Sequence, residues 1–184
     1  MPSGPGIVSE EAIARIAATV PPPIATFLLT SARTAEAIIA QQRRCRTNTL
    51  QLCDAVTPDV YRQVREELPG IALVQVIHVI GAESVDEAVA VASHVDAILL
   101  DSGNPRLAVK ELGGTGRTHD WALSRRIRES VRVPVFLAGG LTPGNVAEAI
   151  AAVQPFGLDV CSGVRTNDHL DREKLRAFFD AVYR

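Results

Sequence analysis

Five places in the sequence set a chemically capable residue directly after a short apolar run: Cys53-Asp54, His78, Asp101-Ser102, Gly139-Gly140 and Ser162-Gly163. Asp101 closes the run AILLD. A carboxyl at the end of so apolar a stretch must find a partner or face a pocket, and desolvation favours its protonated form, which suits a general acid. A carboxylate bonded to loop N–H groups is the plainer reading of the same position. Gly139-Gly140 ends the run VPVFLAGG and precedes a turn with Pro143 and a helix that begins near Thr142 or Asn145. Bare backbone beside a helix start offers N–H groups and a positive dipole end to an anion, a phosphate above all.

Alone, a paired glycine at a strand end is also just a tight turn. A second ending of the same kind follows, however: residues 158–164, LDVCSGV, read as a strand that stops at Ser162-Gly163. Two consecutive endings of this type match the phosphate site of (β/α)8 barrels, built by the loops after the last two strands. His78 shares a strand face with Val74 and Val76, and either the barrel mouth or a covering helix can receive it. Cys53 and Cys161 read as small buried fillers more readily than as nucleophiles. The run GGTG at residues 113–116 resembles a phosphate loop, but it does not directly follow a strand and reads as a loop that folds over the mouth. Arg43-Arg44 and Arg125-Arg126 lie on predicted helices as solvated faces, without the aromatic interleaving of a nucleic-acid site.

The elements that must hold these residues alternate. After a loop at residues 1–6, Ser9 caps a helix over residues 9–19, which Pro21-Pro22-Pro23 ends. Strands are predicted at residues 24–29, 49–53, 72–79, 97–100, 133–138 and 158–161. Helices follow from Ser31 or Thr34 to Arg44, from Thr57-Pro58 to Leu68, from a Ser84 cap to His94, from an Asp120 cap to Ser130, from Thr142 or Asn145, and from an Asp171 cap to Tyr183. Repeated strand–helix units mean a parallel sheet with helices outside. An open doubly wound sheet satisfies that pattern, and the phosphate signal favours a barrel. A barrel of this kind closes with eight strands. The expectation is therefore a single (β/α) barrel domain over residues 1–184 with six strands, its first strand, first helix and second strand missing. A start upstream of Met1 explains the shortfall most simply. A true six-strand chain would expose two sheet edges and invite a homodimer.

Bulk properties exclude other classes. Net charge is -2 and 47% of the 184 residues are hydrophobic, which indicates neither disorder nor a polyanion-binding surface, so no nucleic-acid partner is expected. No apolar run approaches the ~20 residues that span a bilayer, and nothing at the start reads as a secretion signal. Three cysteines, odd in number and widely spaced, suit free thiols in the reducing cytoplasm, and no cluster has metal-ligand spacing.

As a set, AILLDS at residues 97–102, GGTGRTHDW at 113–121, FLAGGLTPGNVAEAI at 136–150 and DVCSGV at 159–164 resemble the phosphoribosylanthranilate isomerase family, and the similarity extends weakly back to Ser9. The resemblance implies a (β/α)8 barrel of the ribulose-phosphate-binding type, no cofactor, a phosphorylated sugar as substrate and a place in tryptophan biosynthesis. It implies Asp101 as the acid that protonates the ribose ring oxygen, and Gly139, Gly140, Ser162 and Gly163 as the phosphate site. The family's cysteine base ends a first strand for which this sequence has no counterpart. Its Ser-Pro-Arg is Gly4-Pro5-Gly6 here, its Gln-Leu-His-Gly is Gln51-Leu52-Cys53-Asp54, and Arg165 stands where glutamate is common. Cys53, His78 and Arg165 are thus candidate substrate contacts. The phosphate half matches the family and the anthranilate half departs from it, so an isomerase-like paralogue with another phosphosugar, or a non-catalytic phosphate-binding fragment, are the alternatives.

Overall fold

The computed structural model describes residues 8–103 and 118–183. The Gly4-Pro5-Gly6 and GGTG expectations lie outside the described residues. Six strands form one parallel sheet in the sequential order β1 (Phe27–Thr30), β2 (Thr49–Leu52), β3 (Ala72–His78), β4 (Ala97–Asp101), β5 (Val135–Leu137) and β6 (Gly157–Leu158). Helices α1 (Glu10–Ala17), α2 (Ala35–Cys45), α3 (Pro58–Glu67), α4 (Glu83–Ala92), α5 (Trp121–Ser130), α6 (Val146–Val153) and α7 (Arg172–Val182) alternate with them.

The sheet has two unlike faces. Leu28, Leu50, Leu52, Leu73, Ile77, Ile98, Leu100 and Leu137 turn outward and join Ile38, Val64, Ala88, Ile127 and Ala149 of the helices in the main core. Cys53, Val74, Val76, Ala97, Leu99 and Ala138 form a second cluster on the inner face, with Phe136 packed against it. Period-two alternation assigns each residue to one face or the other.

The sheet is rolled. The rings of Phe27 on β1 and Phe136 on β5 meet edge to face with centroids 6.5 Å apart. In a flat sheet those strands lie four spacings apart, about 19 Å. In an eight-strand barrel, strands four apart stand opposite each other across the axis, where inward side chains meet. The curvature is that of a barrel, while β1 and β6 each have one neighbour in the sheet. Phe27 and Leu29 at one lip and Phe156 at the other are consequently exposed.

Several boundaries differ from the sequence expectation. β1 starts at Phe27, not residue 24, because the proline run closes a turn in which the Ile24 N–H bonds to the Pro21 carbonyl at 3.0 Å. Ser84 does not cap α4. It is buried inside the first turn, where its hydroxyl donates to the His78 carbonyl at 3.1 Å and accepts the Ile80 N–H at 3.2 Å. β6 is only two residues long. After it the chain winds through a 3-10 turn, Ser162–Val164, into a small antiparallel hairpin of β7 (Arg165–Thr166) and β8 (His169–Leu170). Cys161, expected as a buried filler, is exposed on this detour. The caps at Ser9, Thr34, Asp120 and Asp171 form as expected, each side chain accepting a first-turn N–H.

Candidate active site

The C-terminal strand ends carry a row of inward residues. β3 and β4 pair His78 with Asp101. β4 pairs Leu100 with Leu137, and β5 pairs Leu137 with Leu158, so Asp101, Ala138 and Asp159 follow in the same row. Cys53 lies one layer deeper, with Val76 and Leu99 in the inner cluster. His78 therefore faces the barrel mouth, which resolves the two orientations left open by sequence.

Asp101 is 7% exposed. Burial raises its carboxyl above the usual range, against the smaller opposing effects of the Ser102 N–H, 2.8 Å from Oδ1, and of the charge on His78. A carboxyl so placed holds its proton to higher pH, as an acid requires. Asp159 was not singled out by sequence. Its side chain opens to solvent, yet protein crowds around it in the mouth, and that partial burial followed by repulsion from Asp101 raises its carboxyl as well. Asp159 directly follows the two-residue strand β6 and opens the run DVCSGV that also carries Ser162 and Gly163. Burial and the neighbouring Asp101 push the Cys53 thiol up to about 12, so near neutral pH it is a thiol, and its Sγ lies 3.7 Å from the Gln51 carbonyl.

Two glycine contacts join the loops into one floor. Gly139 has φ +82°, and a Cβ there would lie 2.9 Å from the backbone N and side chain of Ser102, next to Asp101. Gly163 lies against the loop after β5: a Cβ on it would sit 1.8 Å from the Leu141 carbonyl oxygen. Gly140 also takes a left-handed φ of +64°. Asn145 orders this loop, for its Oδ1 accepts the Thr142 N–H at 2.8 Å and its Nδ2 donates to the Gly140 carbonyl at 3.0 Å. Gly140 in the loop after β5 and Ser162 and Gly163 in the 3-10 turn present backbone at this floor. Backbone of two touching loops beside a helix start is the kind of surface that can receive an anion. Arg165 directly follows this turn. It opens the β7–β8 hairpin, where its carbonyl accepts from Lys174 Nζ at 2.9 Å. Among the described residues no group of three His, Cys, Asp or Glu side chains is placed to hold a metal ion, and no helix is long and apolar enough to cross a membrane.

The paired arginines are surface groups: Arg43 pairs with Glu67 at 2.8 Å, Arg44 with Glu10, and Arg125 with Glu129 at 2.6 Å.

Comparison with known proteins agrees with this fold. A family model described as N-(5'-phosphoribosyl)anthranilate isomerase matches residues 2–181. A protein of Methanocella arvoryzae named N-(5'-phosphoribosyl)anthranilate isomerase is 36% identical over 97% of this chain and 82% of its own length. The phosphoribosyl anthranilate isomerase structure from Thermococcus kodakaraensis superposes with a TM-score of 0.78 at 29% identity, over 95% of this chain and 81% of that one. A further isomerase structure, bound to reduced 1-(o-carboxyphenylamino)-1-deoxyribulose 5-phosphate, superposes with a TM-score of 0.76 at 25% identity, over 96% of this chain and 80% of that one. This chain belongs to the phosphoribosylanthranilate isomerase family.

Proposed function

We propose that this chain is the aldose–ketose isomerase that converts N-(5-phosphoribosyl)anthranilate to 1-(2-carboxyphenylamino)-1-deoxyribulose 5-phosphate in tryptophan biosynthesis. The observation that carries the reading is the contact chain from Asp101 through Ser102 and Gly139 to Leu141 and Gly163, which sets a buried carboxyl, its pKa raised by desolvation, beside the two glycine loops. In this reading the N–H groups around Gly139, Gly140, Ser162 and Gly163 hold the phosphate and fix the sugar over the mouth. Asp101 gives its proton to the ribose ring oxygen, the C1–O bond breaks, and the nitrogen lone pair completes an iminium. A base then takes the C2 proton, and the electrons of that C–H bond form the enolamine, which tautomerises to the ketose. Asp159, two strands from the acid, is placed to accept hydrogen bonds from the sugar hydroxyls. Cys53 contributes wall rather than base, because its thiol stays protonated.

Growth of a tryptophan auxotroph lacking the isomerase, restored by this gene, is the expected result. Absence of growth from a folded, expressed protein would favour another phosphosugar or a non-catalytic role. The exposed lips at Phe27, Leu29 and Phe156 support a homodimer that shields them, and equilibrium sedimentation of the pure chain decides this: a monomer at all concentrations contradicts it.

A further inference from the structure

The inward row at the mouth carries a second carboxyl besides Asp101. Leu137 and Leu158 are register partners on β5 and β6, and both pack with the main core outside the sheet. The residue after each, Ala138 and Asp159, therefore faces inward. The ladder carries on past these leucines: the Asp159 N–H bonds to the Leu137 carbonyl and the Ala138 N–H to the Leu100 carbonyl, both at 2.8 Å. Asp101, Ala138 and Asp159 thus stand side by side on three neighbouring strands. Strands two apart are separated by roughly 9–10 Å. The residue between is an alanine, so only a methyl group divides the two carboxyl groups. Asp101 is buried at one end of this short row, and Asp159 opens to solvent at the other, where a ligand enters.

An independent observation marks the same floor as a ligand surface. His78 continues the row on β3, is 7% exposed, and its buried Nδ1 has no hydrogen-bond partner among the described residues. Buried polar atoms are rarely left unpaired, and an exception at a mouth is the mark of a place kept for a polar ligand. Cys53 cannot supply a base there, because its thiol, pushed up to about 12, keeps its proton near neutral pH.

We propose that Asp159 is the base of the isomerisation and works with Asp101 as a pair across Ala138. The proposal rests on the isomerase reading and names the group that reading leaves open. One proton serves the pair, since each carboxylate opposes a second beside it. The lone pair of the ribose ring oxygen draws that proton to Asp101, and Asp159 is left as the carboxylate. Once the C1–O bond has broken, Asp159 takes the proton from C2. The C–H electron pair becomes the C1–C2 double bond, and the iminium π pair returns to nitrogen as its lone pair. The ketose forms when C1 takes the proton back from Asp159 and the C2 hydroxyl proton passes to Asp101. Both carboxyls end as they began, and no co-reactant is needed. Burial and the Asp101 charge raise Asp159, which strengthens it as a base. The other titratable groups of the mouth are His78 on β3 and Cys53 on β2, with Cys161 and Arg165 on the turn after Asp159; Val135, Phe136, Leu137 and Ala138 between the two carboxyl groups bring none.

Two measurements test it. Carboxyl-carbon NMR of the unliganded chain needs no substrate, so its outcome is separate from that of the isomerase reading. Coupled titration is expected: Asp101→Asn lowers the midpoint of Asp159, and Asp159→Asn lowers that of Asp101. Midpoints indifferent to these changes overturn the pair. Turnover then tests the base. Asp159→Asn keeps an oxygen acceptor for the sugar hydroxyls and removes the basic group. It is expected to lower kcat about a hundredfold or more with KM within about threefold, while Asp159→Glu recovers part of the rate. Deuterium at C2 should slow the Asp159→Asn chain further, because removal of that proton has become its slowest step. A loss confined to KM, a rate within about threefold of the native chain, or a variant indifferent to deuterium at C2 overturns the assignment. A native chain without turnover removes the isomerase reading and the base with it, even where the coupled titration is found.

Discussion

Gly163 rests against the backbone of Leu141, so that a Cβ on the glycine would fall 1.8 Å from the Leu141 carbonyl oxygen. The obstruction is backbone, which cannot swing aside as a side chain does. Gly163→Ala is therefore expected to push the two loops apart and spoil the cradle, raising KM for the phosphorylated substrate about tenfold or more while kcat falls less. Inorganic phosphate protection against thermal unfolding should weaken in parallel. Unchanged KM and unchanged phosphate protection would show that the anion sits elsewhere.

Gly139 poses a different constraint. Its φ of +82° disfavours any side chain, and Ser102 already fills the space a Cβ would take. Gly139→Ala is expected to cost about 1–3 kcal/mol of stability, read by urea denaturation, and to disturb Asp101 through Ser102. Gly144, where a Cβ would meet only the Thr142 hydroxyl at 3.8 Å, is the matched control, and Gly144→Ala should be nearly neutral.

Burial of Asp101 also links stability to pH. Its folded carboxyl titrates above the unfolded value, so the folded chain binds the proton more tightly. The stability this confers is full below the ordinary carboxylate range and is lost as pH rises through the raised value. Asp101→Asn removes the dependence. The variant is expected to be more stable than the native chain at neutral pH, and the difference should vanish in acid. It should also lower the titration of Asp159, from which a repelling charge has been removed. A variant less stable at neutral pH would contradict the buried, costly carboxyl described here.

His119 reports the opposite sign. It packs beside Ser124, with Nε2 2.7 Å from the hydroxyl, and burial holds its ring near a pKa of about 4. The unfolded ring takes a proton near 6.5, so stability falls as pH drops from there toward 4, by up to about 3 kcal/mol. His119→Gln should flatten that part of the stability curve. A curve of unchanged slope in His119→Gln would place the loss in other groups.

The sequence made much of this legible where burial was two-sided. β2, β3 and β4 are apolar on both faces because helices cover one side and the rolled interior the other, so their runs, and Asp101 at the end of one, stand out. Ser84 carries the signature of a cap, a serine before an acidic helix turn. Its hydroxyl instead found a nearer acceptor in the His78 carbonyl, a tertiary contact that no local pattern encodes. β6 lies at Gly157–Leu158, shorter than the strand expected at 158–161: two ladder residues suffice once Gly157 lets the Phe136 ring lie across it, where a Cβ would meet the ring at 2.7 Å. Asp159 then leaves the sheet without the long apolar run that flagged Asp101. The rolling brings Phe27 to Phe136, residues far apart in the chain and related only through four intervening strand pairings.

The most direct test is turnover of N-(5-phosphoribosyl)anthranilate by the purified chain, followed by the change in anthranilate fluorescence, with Asp101→Asn alongside. The account requires measurable isomerisation by the native chain and a fall of about a hundredfold or more in kcat/KM for the variant, with its circular dichroism unchanged. A folded native chain that leaves the substrate untouched, or an Asp101→Asn chain that turns it over at the native rate, would contradict it.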